Sequence, residues 1–386
     1  MPISELVPVV DGSGLRVALF TDTYTPQVNG VTRTLQRLSD AITERGGVVR
    51  VFTVADPESE ADAQVTRYAS TPFWAYKELR MAWPSSRQLH QQLALFRPTI
   101  AHVATPFGLG LAGRRLALRM RIPLVSSYHT SLPAYARHYK MGAIAGISWK
   151  FLRWFHNSTQ RTYCPSQAVA DEVNARGFTN TAIWSRGVDA SQFSPRHRSL
   201  ALRTVMGATD DSLVVTYVGR LAAEKGLDTA TAALRIAADE RPGKIVFSCV
   251  GDGPYASEVR RNSPQASWMP GKLTAQQLSE AYASGDVFLF PSATDTFGSV
   301  VLEAMASGLP VLGADVGPTR ELVGPDRGWL APPGDAQAFA RILIHLVDNR
   351  IAVLQKRQAV LQFAKDSSWD RIWNGLLGDY LQVMAR

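Results

Sequence analysis

The sequence predicts an α/β protein of two Rossmann-like domains, each a doubly wound parallel sheet, and three observations carry that prediction. Residues 15–54 read as strand, loop, helix and strand; the same order restarts at 212; and a polar stretch without periodicity separates the two. A length of 386 residues is too great for one small core and fits this division.

The elements follow in order. L-R-V-A-L-F (15–20) is a short apolar run that ends in T-D-T-Y-T-P-Q-V-N-G. A helical pattern follows, with Val31, Leu35, Leu38 and Ile42 on one face. V-V-R-V-F-T-V (48–54) is a buried-strand pattern that closes the first βαβ unit. I-A-H-V-A (100–104), P-L-V-S-S-Y (123–128) and R-T-Y-C-P (161–165) are further strands. The second series is S-L-V-V-T-Y-V-G-R (212–220), a helix over 226–240, then K-I-V-F-S-C-V (244–250), D-V-F-L-F-P (286–291) and L-P-V-L-G-A (309–314). The expected domains are 1–190 and 199–368, joined by a linker near 190–198. A last helix over 369–386 can cross back to the N-terminal domain. Two such domains facing each other would set the C-terminal ends of both sheets across one cleft, where α/β sheets bind ligands.

Composition narrows the class. Apolar residues make up 46% and charged residues 19%, which suits a folded globular protein. Cys164 and Cys249 stand far apart and form neither a metal-ligand spacing nor a disulfide framework, so a reducing cytoplasm is expected. The opening M-P-I-S-E-L lacks a signal-peptide pattern, and no apolar run approaches the roughly 20 residues of a spanning helix. The net charge of +8 is unevenly spread. Between Arg67 and Arg161 stand 14 Lys or Arg residues and one acid, Glu78, interleaved with Trp74, Tyr76, Trp83, Tyr135, Tyr139, Trp149, Trp154 and Phe155. Such a field either is a solvated basic face or attracts phosphates and anionic lipid headgroups. No short nucleic-acid signature accompanies it, so no nucleic-acid partner is expected.

Three stretches bear on chemistry. V-G-D-G-P-Y-A (250–256) superficially matches a dinucleotide fingerprint, but it sits in the second half of its domain and no acid follows to hold a ribose. A tight strand-to-helix turn explains it as well. V-G-R-L-A-A-E-K-G (218–226) is more specific. Arg220 lies just past a strand end and Lys225 where a helix begins, an arrangement suited to the two phosphates of a nucleoside diphosphate leaving group. T-D-T-F-G-S-V-V-L-E (294–303) sets Asp295 and Glu303 around Phe-Gly. An acid/base couple, a sugar-binding pair and a loop-to-helix junction are all open for it.

Together, G-R-L-x-x-E-K-G and D-x-F-G-x-x-x-x-E-A-M-A-S-G-x-P-V resemble the signature of retaining glycosyltransferases of family 4, which have the GT-B fold. P-Q-V-N-G-V-T-R, S-Y-H-T and R-G-V-D extend the resemblance over nearly the whole chain. The N-terminal half is similar to bacterial GDP-mannose-dependent α-mannosyltransferases and to sulfoquinovosyl-diacylglycerol synthases. The resemblance implies a role for each matching position. Arg220 and Lys225 would clamp the donor diphosphate, and Glu303 would grip the ribose hydroxyls. Asp295, where the family usually has Glu, would meet the transferred sugar with the amides of Phe297 and Gly298. The helix start at Ser299 would face the phosphates. Gly30 would let backbone approach the diphosphate, and His129 would lie near the donor sugar, although a satisfied core histidine is the plain alternative. Lys272 and Leu273 align loosely with the base-binding loop.

The expected activity is therefore a hexosyl transfer, with GDP-mannose the favoured donor, to a lipid or lipid-linked glycan. UDP-sulfoquinovose, UDP-glucose or UDP-glucuronate are alternative donors. A GT-B epimerase or phosphorylase and a catalytically idle binding module are the readings of other classes. No D-x-D-type metal site stands out, since Asp210 and Asp211 precede a strand, so no cofactor or metal is expected. A same-face substitution follows, because Asp295 is the single nearby candidate for a nucleophile and the resemblance assigns it to sugar hydroxyls. The basic half would meet an anionic membrane from the cytoplasmic side. Its segment A-I-A-G-I-S-W-K-F-L-R-W-F (143–155) reads either as an interfacial helix, with Lys150 and Arg153 towards headgroups, or as a core helix.

Overall fold

The computed structural model describes residues 9–27, 29–73, 76–129 and 142–385. Trp74, Tyr135 and Tyr139 of the basic, aromatic-rich stretch lie outside the described residues. The chain divides into two compact units, Met1–Ser185 with Ile372–Arg386, and Arg186–Arg371.

In the first unit the strands are β1 (Arg16–Phe20), β2 (Val48–Val54), β3 (Val65–Tyr68), β4 (Ser70–Phe73), β5 (Tyr76–Ala82), β6 (Ile100–Val103), β7 (Leu124–Ser127), β8 (Arg161–Cys164) and β9 (Thr181–Ile183). Seven of them form one parallel sheet in the order β3-β2-β1-β6-β7-β8-β9, and β4 and β5 pair as a separate hairpin. The first crossover is helix Gly30–Glu44. It begins because the Asn29 side chain accepts the Thr32 amide at 2.9 Å, and it buries Leu35, Leu38 and Ile42. The sheet packs Ala18, Phe20, Phe52 and Val103 against Leu89, Leu93, Leu109 and Leu116 of the following helices. The order reverses between β1 and β6, and there Asp22 ties the two strand ends together. Its carboxylate accepts Thr105 Oγ1 at 2.6 Å and the Leu109 amide at 2.9 Å. Burial pushes this carboxyl up to about 6, against the lowering effect of those bonds.

In the second unit the strands are β10 (Leu213–Val218), β11 (Ile245–Val250), β12 (Ser267–Gly271), β13 (Val287–Phe290), β14 (Val311–Ala314) and β15 (Gly328–Ala331). All are parallel, in the order β12-β11-β10-β13-β14-β15, which is the doubly wound 3-2-1-4-5-6 pattern. Central strands covered on both faces read as continuous apolar runs, and V-F-L-F of β13 is buried at every residue. Its Val287 and Leu289 pack with Leu234, Phe339 and Leu343 on one face. Phe288 and Phe290 pack with Val301, Leu302 and Val360 on the other.

The division falls at Ser185–Arg186, a few residues before the expected linker. Residues 190–198 are polar because they bond inside the second unit, not because they are a free connection. Asp189 accepts the Ser191 amide at 2.8 Å, and Arg198 donates to the Gly285 carbonyl at 2.7 Å and to Asp286 at 3.0 Å. Asp286 is the ionic centre of this unit, paired also with Arg203 (3.1 Å) and Arg350 (3.2 Å). Burial opposes its ionisation, but Arg203, Arg350, the Val214 amide and Arg198 together hold it below the ordinary carboxylate range. The last helix, Trp369–Met384, belongs to the first unit from Ile372 onward and buries Trp373, Leu376, Leu377 and Tyr380. Cys164 and Cys249 are free and buried, and burial raises both thiols to about 12.

Candidate functional site

In the second unit the sequence-marked residues gather at the C-terminal ends of β10 and β13. These are the two strands between which the order reverses, where ligands of such sheets bind. Arg220 follows β10 by two residues and is exposed. Its loop is fixed from two sides. Tyr217 Oη donates to the Arg220 carbonyl at 3.0 Å, and the Leu221 amide donates to the Asp252 carbonyl at 3.0 Å. The loop after β11 lies so close that a Cβ on Gly251 would stand 1.9 Å from the Gly219 oxygen, and one on Gly253 2.2 Å from the Leu221 oxygen. The G-D-G turn that looks like a cofactor fingerprint therefore serves as a backbone support for the arginine loop.

Lys225 closes a short 3₁₀ turn, and Gly226 (φ +71°) then starts helix Leu227–Glu240. A side chain at Gly226 would meet the Pro291 carbonyl at 2.5 Å, so the β10 and β13 loops touch through this glycine. Across that contact Lys225 Nζ donates to Asp295 Oδ1 at 2.7 Å, with both side chains about three-quarters buried. The two residues that the resemblance gives different ligand groups thus form an ion pair. Lys225 brings little uncompensated charge, and Arg220 beside it is an exposed cation.

Helix Ser299–Ala306 starts from Gly298 (φ +89°), which offers no side-chain cap. Among the described residues no acceptor meets the Ser299 and Val300 amides, so the positive end of the helix is open to an anion. Phe297 is buried in the core beneath the loop, and a Cβ on Gly298 would come within 2.9 Å of the Phe290 ring. Glu303 is half-buried one turn into this helix and accepts Tyr282 Oη at 2.8 Å. Burial, then the charge of Glu303, hold the Tyr282 hydroxyl well above its ordinary value, so it remains a donor that fixes the carboxylate. Leu273 packs on the core beside these strands and Lys272 is exposed.

In the first unit Gly30 opens its helix at the surface, and packing within the unit gives no reason for a glycine there. His129, just past β7, bonds through Nε2 to Ser127 Oγ at 2.7 Å and sets its ring edge-on to Trp184 at 5.4 Å. Behind it stands His102, bonded to Ser127 Oγ at 2.9 Å and to the Tyr380 hydroxyl. Helix Gly142–His156 buries Leu152, Phe155 and His156 and exposes Ile147, Lys150, Arg153 and Trp154. Arg114 covers the Trp154 ring at 3.9 Å. The segment is thus a core helix on one face, with apolar and basic side chains together on the other.

Tyr282, Asp286, Ser127, His102 and Tyr380 were not among the residues the sequence marked. Their partners lie up to 278 residues away. The stretch A-Y-A-S-G-D-V-F carries Tyr282 and Asp286, and Ser127 opens the S-Y-H-T stretch.

Residues 28–192 match the family described as Glycosyltransferase Family 4, and residues 212–349 match that described as Glycosyl transferases group 1. The chain is 34% identical to a GDP-mannose-dependent alpha-mannosyltransferase of Mycobacterium tuberculosis, over 97% of this chain and 98% of that one. It is 31% identical to the sulfoquinovosyl transferase SQD2 of Arabidopsis thaliana, over 95% of this chain and 73% of the relative. Among solved structures, sucrose-phosphate synthase from Thermosynechococcus elongatus superposes with a TM-score of 0.73 at 20% identity, covering 96% and 99% of the two chains.

Proposed function

The chain belongs to glycosyltransferase family 4, with the GT-B fold, and from that premise we propose that it transfers mannose from GDP-mannose to a lipid or lipid-linked glycan, with retention of configuration. One observation carries the reading: Arg220, the Lys225–Asp295 pair, the open helix end at Ser299 and Glu303 converge on the reversal point of one sheet. Glu303, held by Tyr282, offers two carboxylate oxygens to a ribose diol. Arg220 and the helix amides take the charge that develops on the departing diphosphate. Asp295 and the amides of Phe297 and Gly298 take the sugar hydroxyls, and Lys225 holds Asp295 in place. The bond from the anomeric carbon to the diphosphate breaks as the acceptor oxygen bonds on the same face. The acceptor's proton passes to the leaving phosphate.

A UDP-sugar donor is the second reading, favoured by the likeness to the Arabidopsis sulfoquinovosyl transferase. Support for a membrane-borne acceptor is the joint exposure of Ile147, Lys150, Arg153 and Trp154. No described helix is long and apolar enough to cross a membrane; the proposed attachment is peripheral, on the cytoplasmic face. Stronger flotation with anionic than with neutral vesicles is expected, and equal flotation counts against it. Transfer needs no metal in this account.

The test is a panel of nucleotide sugars, with release of GDP or UDP as readout and with EDTA in one arm. GDP release from GDP-mannose that survives EDTA is expected. Release from UDP-sugars alone selects the second reading, and loss on EDTA restored by Mn²⁺ overturns the metal-free mechanism.

A further inference from the structure

The first unit contains a line of polar groups that ends at His129. Tyr380 on the C-terminal helix bonds to His102 Nδ1; His102 Nε2 bonds to Ser127 Oγ at 2.9 Å; Ser127 Oγ bonds to His129 Nε2 at 2.7 Å. Tyr380 and His102 are wholly buried and Ser127 nearly so, whereas His129 is half-exposed. The line therefore runs from the core of the unit out to the residue past the end of β7.

Its direction follows from counting donors. A phenol has one O–H, and among the described residues the Tyr380 hydroxyl has no partner except His102 Nδ1. If His102 donated from Nδ1, the Tyr380 proton would be buried with no acceptor, which folded proteins avoid. Tyr380 must therefore donate, and Nδ1 of His102 must accept. Burial pushes His102 down to about 3, so its ring is neutral and carries its one proton on Nε2. That proton goes to Ser127 Oγ. The Ser127 hydroxyl then turns its own proton to His129 Nε2.

We propose that Tyr380, His102 and Ser127 form a one-way hydrogen-bond relay that keeps His129 Nε2 an acceptor and so places the proton of a neutral His129 on Nδ1. The three are positioning residues for His129. Trp184 reinforces them, since both imidazoles stand edge-on to its ring, at 5.7 Å for His102 and 5.4 Å for His129. Helix Trp369–Met384 thereby sets the hydrogen-bonding state of a group 251 residues before Tyr380 in the chain. What this does to sugar transfer rests on the transferase reading above; what it does to the two rings does not.

The test is nitrogen-15 NMR of the histidine rings in the full-length protein at neutral pH, with resonances assigned from His102→Gln and His129→Gln. The relay predicts a bare Nε2 on His129 and a protonated Nε2 on His102. Tyr380→Phe should shift both rings towards mixed tautomers, and Ser127→Ala should remove the bond to His129 Nε2 while leaving His102 bound to Tyr380. With GDP-mannose as donor, Tyr380→Phe should lower kcat about tenfold with little change in KM, and Ser127→Thr should retain the wild-type spectrum. A protonated Nε2 on His129 in the wild type, or rings unmoved by both Tyr380→Phe and Ser127→Ala, overturns the relay. Correct tautomers without turnover of GDP-mannose would leave the relay standing and count against the donor assignment alone.

Discussion

The two units bury polar groups in opposite ways. The first holds its wholly buried groups with neutral partners, Asp22 with a threonine hydroxyl and backbone amides, His102 with serine and tyrosine, His156 with Ser126, and keeps an ion pair, Arg161–Asp379 at 3.3 Å, nearer the surface. The second holds them with opposite charge: Asp286 with three arginines and Asp295 with Lys225. The electrostatic consequence shows in the two buried aspartates, since burial raises Asp22 to about 6 while the arginines keep Asp286 below its ordinary range. The unit expected to grip a diphosphate is organised by charge, and the unit carrying His129 by hydrogen-bond direction.

The sharpest way to break the ionic half is Asp286→Asn. It leaves Arg203, itself buried, without its counter-ion, and a loss of about 3–5 kcal/mol is expected in urea unfolding at neutral pH. An unchanged midpoint would mean that the arginines are satisfied by the carbonyls of Ser212 and residues 283–285 alone. Arg220→Ala should come next, lowering turnover about 100-fold or more, roughly 3 kcal/mol of transition-state stabilisation, with no change in melting because the side chain is exposed.

Acid should separate the units. His102 and His156 are both pushed down to about 3 by burial, from about 6.5 in an unfolded chain. Their folded values are depressed, so their neutral burial contributes fully above pH 6.5 and is lost as the pH falls towards 3. At pH 5 each has lost about 2 kcal/mol. Asp22 runs the other way: its raised value makes it most favourable below about 4, and acidification from pH 7 to 5 returns about 1 kcal/mol. The net is a loss of about 3 kcal/mol in the first unit, while the Asp286 contribution begins to fall only below about pH 4. Amide exchange, corrected for intrinsic rate, should show β6–β8 loosening at pH 5 with β10–β14 unchanged; equal loosening would erase the contrast. The smallest effect is expected from Asp295→Glu. Its extra methylene displaces Lys225 and should change donor preference by about tenfold or less.

The comparison also explains what was legible in the sequence. Central strands such as V-F-L-F of β13 announce themselves because both faces are covered. Short edge strands, β3, β9, β12 and β15, have no such run and were missed. Arg220, Glu303 and Gly298 stand in local patterns a few residues long, which a reading of the sequence can mark. The pairs that hold them, Tyr282 with Glu303 and Lys225 with Asp295, are made across 21 and 70 residues of chain and have no periodic trace. The G-D-G turn has the look of a cofactor motif, but its use as a brace for the arginine loop depends on backbone approach that no spacing encodes.

The most direct test of the central claim, that the second unit's reversal point holds a nucleotide, is calorimetric titration of GDP into full-length wild type and Glu303→Gln. Glutamine preserves an acceptor for Tyr282 and removes only the charge and one strong acceptor oxygen. The account predicts saturable wild-type binding, weakened about tenfold or more by the substitution. Equal affinity for the two proteins would contradict it.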